Sequence, residues 1–276
     1  MALLGNFSNV KKAFVNSLPK SGTNLLAKCL TLFGYKERGH ISAGCVLDRR
    51  LGSIIRRILW RPDENNYLVG INSPVAVRKS AIDSILGKIK EGEFLTAHVG
   101  YRDDFLSSVI KHGFVPIQVI RDPRAVLASF VPYVMKDQSH FLHNSFKSLS
   151  VYDRYKGVLE GISLNGSTLA SLRTCCLSLD PWVNSKDVLC IKFEDMVGAM
   201  GGGSNDKMIH ALELLANRLE LPLDSISQVA ENLYGPGRHT FRKGKVDSWK
   251  EEIPAALQSE VARQIGDILE KWGYVN

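Results

Sequence analysis

The segment FVNSLPKSGTNLLAKCL, residues 14–30, constrains the fold more than any other part of the chain. A short apolar run from Phe14 meets a turn built from Pro19, Lys20, Ser21 and Gly22, and from Thr23 onward apolar residues recur at helical spacing. A strand that turns at once into a helix aims the helix's positive end and its first N–H groups at one spot. Such a spot binds anions. Gly22 lets the backbone approach an oxyanion closely, Lys20 supplies a mobile charge, and Ser21 and Thr23 supply hydroxyl donors. This is not the nucleoside-triphosphate loop G-x-x-x-x-G-K-[ST], because Lys20 precedes Gly22. The plain alternative is an ordinary strand-to-helix turn carrying a surface lysine.

Other short apolar runs, at 67–71, 94–98, 116–120 and 187–193, read as strands buried on both faces, like 14–17. Helical spacing predicts helices over 23–33, 75–90, 103–112, 123–135, 206–219 and 254–272. This alternation implies an α/β fold with a central, mostly parallel sheet flanked by helices. No internal repeat is present. The one composition break, GAMGGGSN at 198–205, reads as a long flexible loop, so residues 1–276 are expected to form a single domain.

The chain's 35 Lys+Arg against 28 Asp+Glu give a formal net charge of +7. That balance fits an anionic partner without choosing among nucleic acid, membrane surface and a phosphorylated small molecule. With 45% hydrophobic and 23% charged residues, the composition argues against a disordered chain. Five cysteines without a C-x-x-C pair argue against a zinc ribbon or a disulfide-stapled mini-domain. Neither a signal-peptide pattern nor an apolar run near the roughly 18 residues of a membrane span is present. The expectation is a protein with no membrane anchor, in the reducing cytoplasm.

A second anion site follows the run 114–120. Arg121 stands at the end of that strand, Asp122 suits a helix N-cap and Pro123 the first helical position. Open α/β sheets bind ligands at this strand edge, and Ser129, eight residues on, would donate to the same anion. The alternative pairs Arg121 with a carboxylate and leaves Ser129 without a role. A third piece, Phe241-Arg242-Lys243-Gly244 with Trp249 nearby, would close backbone and guanidinium groups over a phosphate; by itself it is a solvated basic loop.

The three pieces, in this order and spacing from about residue 13 to 273, resemble the sulfotransferases that use 3′-phosphoadenosine-5′-phosphosulfate (PAPS). The family's 5′-phosphosulfate loop is similar to 18–23, its 3′-phosphate motif to Arg121 and Ser129, and its Arg-Lys-Gly loop to Arg242, Lys243 and Gly244. Phe193-Glu194-Asp195 resembles the family's Tyr-Glu-Asp stretch. The resemblance implies the family's P-loop-like sulfotransferase fold, PAPS as sulfuryl donor and adenosine 3′,5′-bisphosphate (PAP) as product, with no metal. It implies that Lys20, Ser21, Gly22, Thr23 and Asn24 hold the 5′-phosphate, with Arg121, Ser129, Arg242, Lys243 and Gly244 on the 3′-phosphate and Phe193 at the donor site. It also implies that His98, 23 residues before Arg121, is the general base, aided by Lys20 as charge develops on the leaving oxygen. His140-x-x-His143 has helical spacing but no third ligand, and reads as surface.

Four places depart from the family pattern. Thr96 stands where cytosolic members carry Lys, Leu25 where many carry an adenine-stacking Trp, Phe193 where a Tyr would hydrogen-bond, and Asp247-Ser248 where Gly-Asp is usual. The spelling resembles bacterial tailoring enzymes, which implies a small secondary metabolite as acceptor: a phenol, an alcohol, or a guanidinium alkaloid such as the paralytic shellfish toxins. The basic, apolar segment 49–60 reads as a helix with a solvated basic face. No counterpart of the cytosolic animal enzymes' C-terminal dimer motif is found, and the oligomeric state is left open. The competing functions are a small-molecule kinase using ATP and a non-catalytic nucleotide-binding module. Nucleic acid ranks last, because the cations cluster in the phosphate motifs rather than along one face.

Overall fold

A computed structural model describes residues 10–42, 64–164, 167–235 and 244–274. In chain order its elements are β1 (Lys12–Ser17), α1 (Thr23–Leu32), β2 (Lys36–Ile41), β3 (Asn66–Val69), β4 (Val75–Arg78), α2 (Lys79–Leu86), β5 (Glu93–Ala97), α3 (Asp103–Lys111), β6 (Phe114–Ile120) and α4 (Pro123–Lys136). They continue with α5 (His143–Lys147), α6 (Val151–Glu160), β7 (Ile162–Leu164), β8 (Ser167–Leu169), α7 (Leu172–Asn184), β9 (Leu189–Lys192), α8 (Asn205–Leu219), α9 (Ile226–Leu233), α10 (Trp249–Glu252) and α11 (Ala255–Lys271).

Five strands form a parallel sheet in the order β2-β5-β1-β6-β9. Its central strands are buried on both faces and mostly apolar because both faces are covered. Phe14 and Leu95 point into one core, against α3, α4 and α7, while Ala13, Val15 and Ile117 point into the other, against α1 and α8. Four of the five sheet strands and the helices expected over 23–33, 103–112, 123–135, 206–219 and 254–272 appear near their expected bounds, whereas β2, α5, α6, α7 and α9 were not expected. No described helix is long and apolar enough to cross a membrane. Cys29, Cys175, Cys176 and Cys190 are free thiols, and burial pushes their pKa values up.

Four expectations are corrected. The helix expected over 75–90 is two elements: the β-branched Val75 and Val77 pair with β3 in an antiparallel hairpin, and helix starts only at Lys79. The strand expected over 67–71 therefore belongs to that hairpin, outside the main sheet. The Gly-rich segment is a packed turn, not a long flexible loop: the Gly203 N–H donates to Gly198 O (2.8 Å) and the Val246 N–H to Gly201 O (2.9 Å). A Cβ on Gly203 would stand 2.5 Å from the Glu194 carbonyl oxygen, so this position requires glycine. His143 is buried rather than on the surface, bonded through Nδ1 to Val134 O at 2.9 Å. The expected helix 49–60 lies outside the described residues.

Candidate active site

Because the five strands are parallel, their C-terminal ends share one edge, and a cavity of about 480 Å³ opens there. Its lining includes Lys20, Gly22, Thr23 and Asn24 of the β1–α1 turn, His98 after β5, Arg121 after β6, Ser129 on α4, and Phe193 and Gly244. Residues far apart in sequence, in all three anion motifs, thus meet on one cavity. Arg242 and Lys243 lie outside the described residues.

The turn is held by its own backbone. The Ser21 N–H donates to Leu18 O at 3.1 Å, and Gly22 caps α1 at φ +109°. Lys20 adopts φ +75°, a left-handed conformation that costs a non-glycine residue free energy. The hydroxyls of Ser17 and Thr23 are hydrogen-bonded, tying the start of the helix to the end of the strand. Ser21 departs from expectation: it is buried in the turn, its amide is committed to Leu18, and it does not line the cavity. Gly22, Thr23 and Asn24 form the cavity-facing start of α1, where the positive end of the helix lies.

Two cations flank this turn. The Lys20 ammonium lies 4.3 Å from the ring centroid of Tyr133, one helical turn beyond Ser129. The buried Arg121 guanidinium stacks on the Phe193 ring at 4.2 Å and donates from Nη1 to Lys20 O at 3.2 Å. The same ring packs against Gly22, where an added Cβ would stand 2.7 Å from Phe193 Cδ2. Phe193 is therefore a wedge between the turn and Arg121, a packing role that needs no tyrosine hydroxyl.

Behind the wedge, Glu194 accepts hydrogen bonds from the Asp122 N–H (3.0 Å) and the Tyr274 hydroxyl (2.8 Å), and burial raises its pKa. Asp122 caps α4 through the Arg124 N–H and pairs with the Arg124 guanidinium at 2.8 Å, in line with the predicted N-cap. Arg124 in turn stacks on buried Trp249 at 4.2 Å. This chain of contacts locks the strand end that carries Arg121 to the segment containing Gly244.

His98 faces the cavity between these cations and β2. Its Nδ1–H donates to Ser17 O at 2.7 Å, which leaves Nε2 as the bare, accepting nitrogen. Burial, then His40 and Lys20, push its pKa down to about 3, with the Ser17 bond opposing. Buried Asn16 holds the chain here: Nδ2 donates to Val99 O and to Gln118 Oε1, and the Val99 N–H donates to Oδ1, each at 2.9 Å.

Asn16, buried beneath the site, and His40, on the cavity wall, were not foreseen. Asn16 carries no sequence signal beyond a polar residue inside an apolar strand. His40 lies on β2, whose KERGHI sequence lacks an apolar run; the one available signal was that an α/β chain should return to the sheet after α1. The His40 and His98 rings are 4.7 Å apart at 61°, and His40 Nδ1 is 2.9 Å from Thr96 Oγ1. Burial lowers the His40 pKa, with Glu37 opposing.

No family model and no curated protein matches the sequence. The fold does match: it is the fold of sulfotransferases solved with PAP bound. Mouse sulfotransferase SULT7A1 complexed with PAP aligns over 94% of this chain and 85% of its own, at a TM-score of 0.58 and 17% identity. Retinol dehydratase in complex with retinol and PAP aligns over 94% and 81%, at 0.56 and 15%. The same enzyme with androsterone and PAP gives 0.51 and 14%, over 94% and 80%. At these identities the likeness is one of fold.

Proposed function

We propose that the protein is a PAPS-dependent sulfotransferase of small molecules. The observation that carries this reading is the gathering of Lys20, the start of α1, Arg121, Ser129 and a histidine with a bare Nε2 on one cavity. The donor set suits PAPS: a helix start and Lys20 for the phosphosulfate, Arg121 and Ser129 for the 3′-phosphate. Arg242 and Lys243 join the 3′-phosphate in this reading, and the Phe193 wedge keeps Arg121 in place. When bound, PAPS supplies a sulfuryl group on a stable leaving group, PAP.

The chain's own residues do the rest. His98 Nε2 receives the proton of the acceptor as the acceptor attacks, and the Ser17 carbonyl keeps the proton on Nδ1 so that Nε2 stays available. Lys20 offsets the negative charge that builds on the leaving oxygen.

The acceptor is a small molecule, in keeping with the cavity volume and with the retinol and androsterone found in neighbours of this fold. A secondary metabolite fits, and Glu37 on the cavity wall suits a cationic one such as a guanidinium alkaloid. Free, buried thiols and the lack of a spanning helix among the described residues suit a cytoplasmic enzyme. The test is incubation with PAPS and a panel of alcohols, phenols, amines and guanidines, following PAP and sulfated product by mass spectrometry. PAP formed in step with one sulfated product supports the reading; transfer from ATP and none from PAPS contradicts it.

A further inference from the structure

Building on that reading, we propose that Tyr274 is a positioning residue for the donor's 3′-phosphate, acting through Glu194 on Arg121. Tyr274 lies just beyond α11 and does not line the cavity.

Arg121 has two supports, and both meet at Glu194. Its backbone continues into Asp122, whose N–H donates to Glu194 Oε1 at 3.0 Å. Its guanidinium stacks at 4.2 Å on the ring of Phe193, the residue before Glu194. The pairing of β6 with β9 ends at Ile120 and Lys192, so the bond from Asp122 to Glu194 carries the two chains one step past the ladder. One carboxylate thereby sets the position of Arg121 against its own ring.

The other oxygen of that carboxylate, Oε2, accepts from the Tyr274 hydroxyl at 2.8 Å. Burial, then the charge of Glu194, pushes the Tyr274 phenol pKa up, so the hydroxyl stays a donor. Tyr274 is itself pinned. Its N–H donates to Leu269 O at 2.7 Å, and its carbonyl oxygen accepts from Arg124 Nη2 at 3.1 Å. The Lys192 ammonium lies 4.6 Å from its ring centroid. Arg124 is also the partner of Asp122, so Tyr274 touches the network at both ends. Without the hydroxyl, Oε2 would lose this donor in a desolvated site. That favours rotation of the carboxylate or uptake of a proton, and either change loosens its hold on Asp122. The ligands affected are nucleotides that carry a 3′-phosphate, the group assigned to Arg121.

The test compares the full chain with Tyr274→Phe, Glu194→Gln and the double variant by calorimetry. In Tyr274→Phe, affinity for PAP should fall about tenfold, with affinity for 5′-AMP within about twofold of wild type. In the Glu194→Gln background the same change should cost much less, because Tyr274 acts through that carboxylate. Equal losses for the two nucleotides, additive losses, or no loss would overturn the proposal. The wild type supplies a second measurement that needs no variant. Coupling is reciprocal, so PAP should shift the Tyr274 Cζ signal of tyrosine-labelled protein and 5′-AMP should not. An unmoved signal in protein saturated with PAP would overturn the proposal. Failure of the wild type to distinguish PAP from 5′-AMP would strike the donor reading instead. The hold of Tyr274 on Arg121 would then be decided without nucleotide, by the Arg121 guanidinium signal of nitrogen-labelled protein. That signal should change in Tyr274→Phe, and an unchanged signal would overturn the role of Tyr274.

Discussion

The His98 Nδ1–H donates to the carbonyl oxygen of Ser17 at 2.7 Å, so the last residue of β1 sets the tautomer of the candidate base. The strand that leads into the anion-binding turn thereby also fixes the proton acceptor. Replacing His98 by Gln should lower turnover at least about a hundredfold, the usual contribution of a general base. PAP affinity, measured by calorimetry, should be unchanged. Near-normal turnover would remove His98 from the mechanism.

Protonation of His98 should make the fold sensitive to acid. Its folded-state pKa, about 3, lies below the ordinary histidine value of 6.5, so the unfolded chain binds more protons between those values. Stability from this group is complete above about pH 6.5 and is lost as pH falls toward 3, at up to about 1.4 kcal/mol per pH unit. Tm measured from pH 7 to 4 should fall less steeply in His98→Gln than in wild type. Parallel curves would show that His98 is not held neutral in the folded protein.

Bound PAPS should shift that titration upward. Lys20 is one of the groups depressing the His98 pKa, and an anionic donor would offset its charge. The acid limb of kcat measured with PAPS saturating is therefore expected at higher pH than the His98 titration of the free protein, followed by nuclear magnetic resonance. Coincident values would contradict the placement of the phosphosulfate beside Lys20.

Asn16 binds both backbone groups of Val99, the residue after His98. Asn16→Ala would leave a buried N–H and C=O unsatisfied, at about 1–3 kcal/mol for each group. The expected result is a clear drop in Tm and a loss of turnover larger than the loss of PAP affinity. An equal effect on both would mean that Asn16 supports the whole sheet edge rather than the base.

Gly22 has no room for a side chain. Its φ of +109° disfavours any Cβ, and an added Cβ would collide with Phe193, the wedge beneath Arg121. Gly22→Ala should weaken PAP binding by at least about tenfold, or 1.4 kcal/mol. Adding Phe193→Ala relieves the collision but leaves the backbone strain and removes the ring under Arg121, so the double variant should not recover full binding. Full recovery would contradict the role of Phe193 in holding Arg121.

The parts of the site legible in the sequence were those where chemistry restricts residue type over a short span. The turn at Lys20–Gly22 and the strand end at Arg121 and Asp122 could be read locally because a strand, a turn and a helix start follow one another directly. What was missed depends on contacts distant in the chain. β2 escaped because an edge strand half open to solvent has no apolar run, and His40 went with it. β4 read as helix because Val75 and Val77 acquire strand conformation through pairing with β3. Ser21 looked like a phosphate ligand because nothing in its sequence reveals that its amide turns back to Leu18. Phe193 looked like a deficient tyrosine until its ring was seen between Gly22 and Arg121.

Calorimetric titration of the purified protein with PAP, using 5′-AMP as the control, tests the donor assignment most directly. Tight binding of PAP, binding of 5′-AMP weaker by at least about a hundredfold, and loss of that difference in Arg121→Ala are the expected results. Equal binding of the two nucleotides would contradict a 3′-phosphate site at Arg121 and Ser129, and with it the assignment of PAPS as donor.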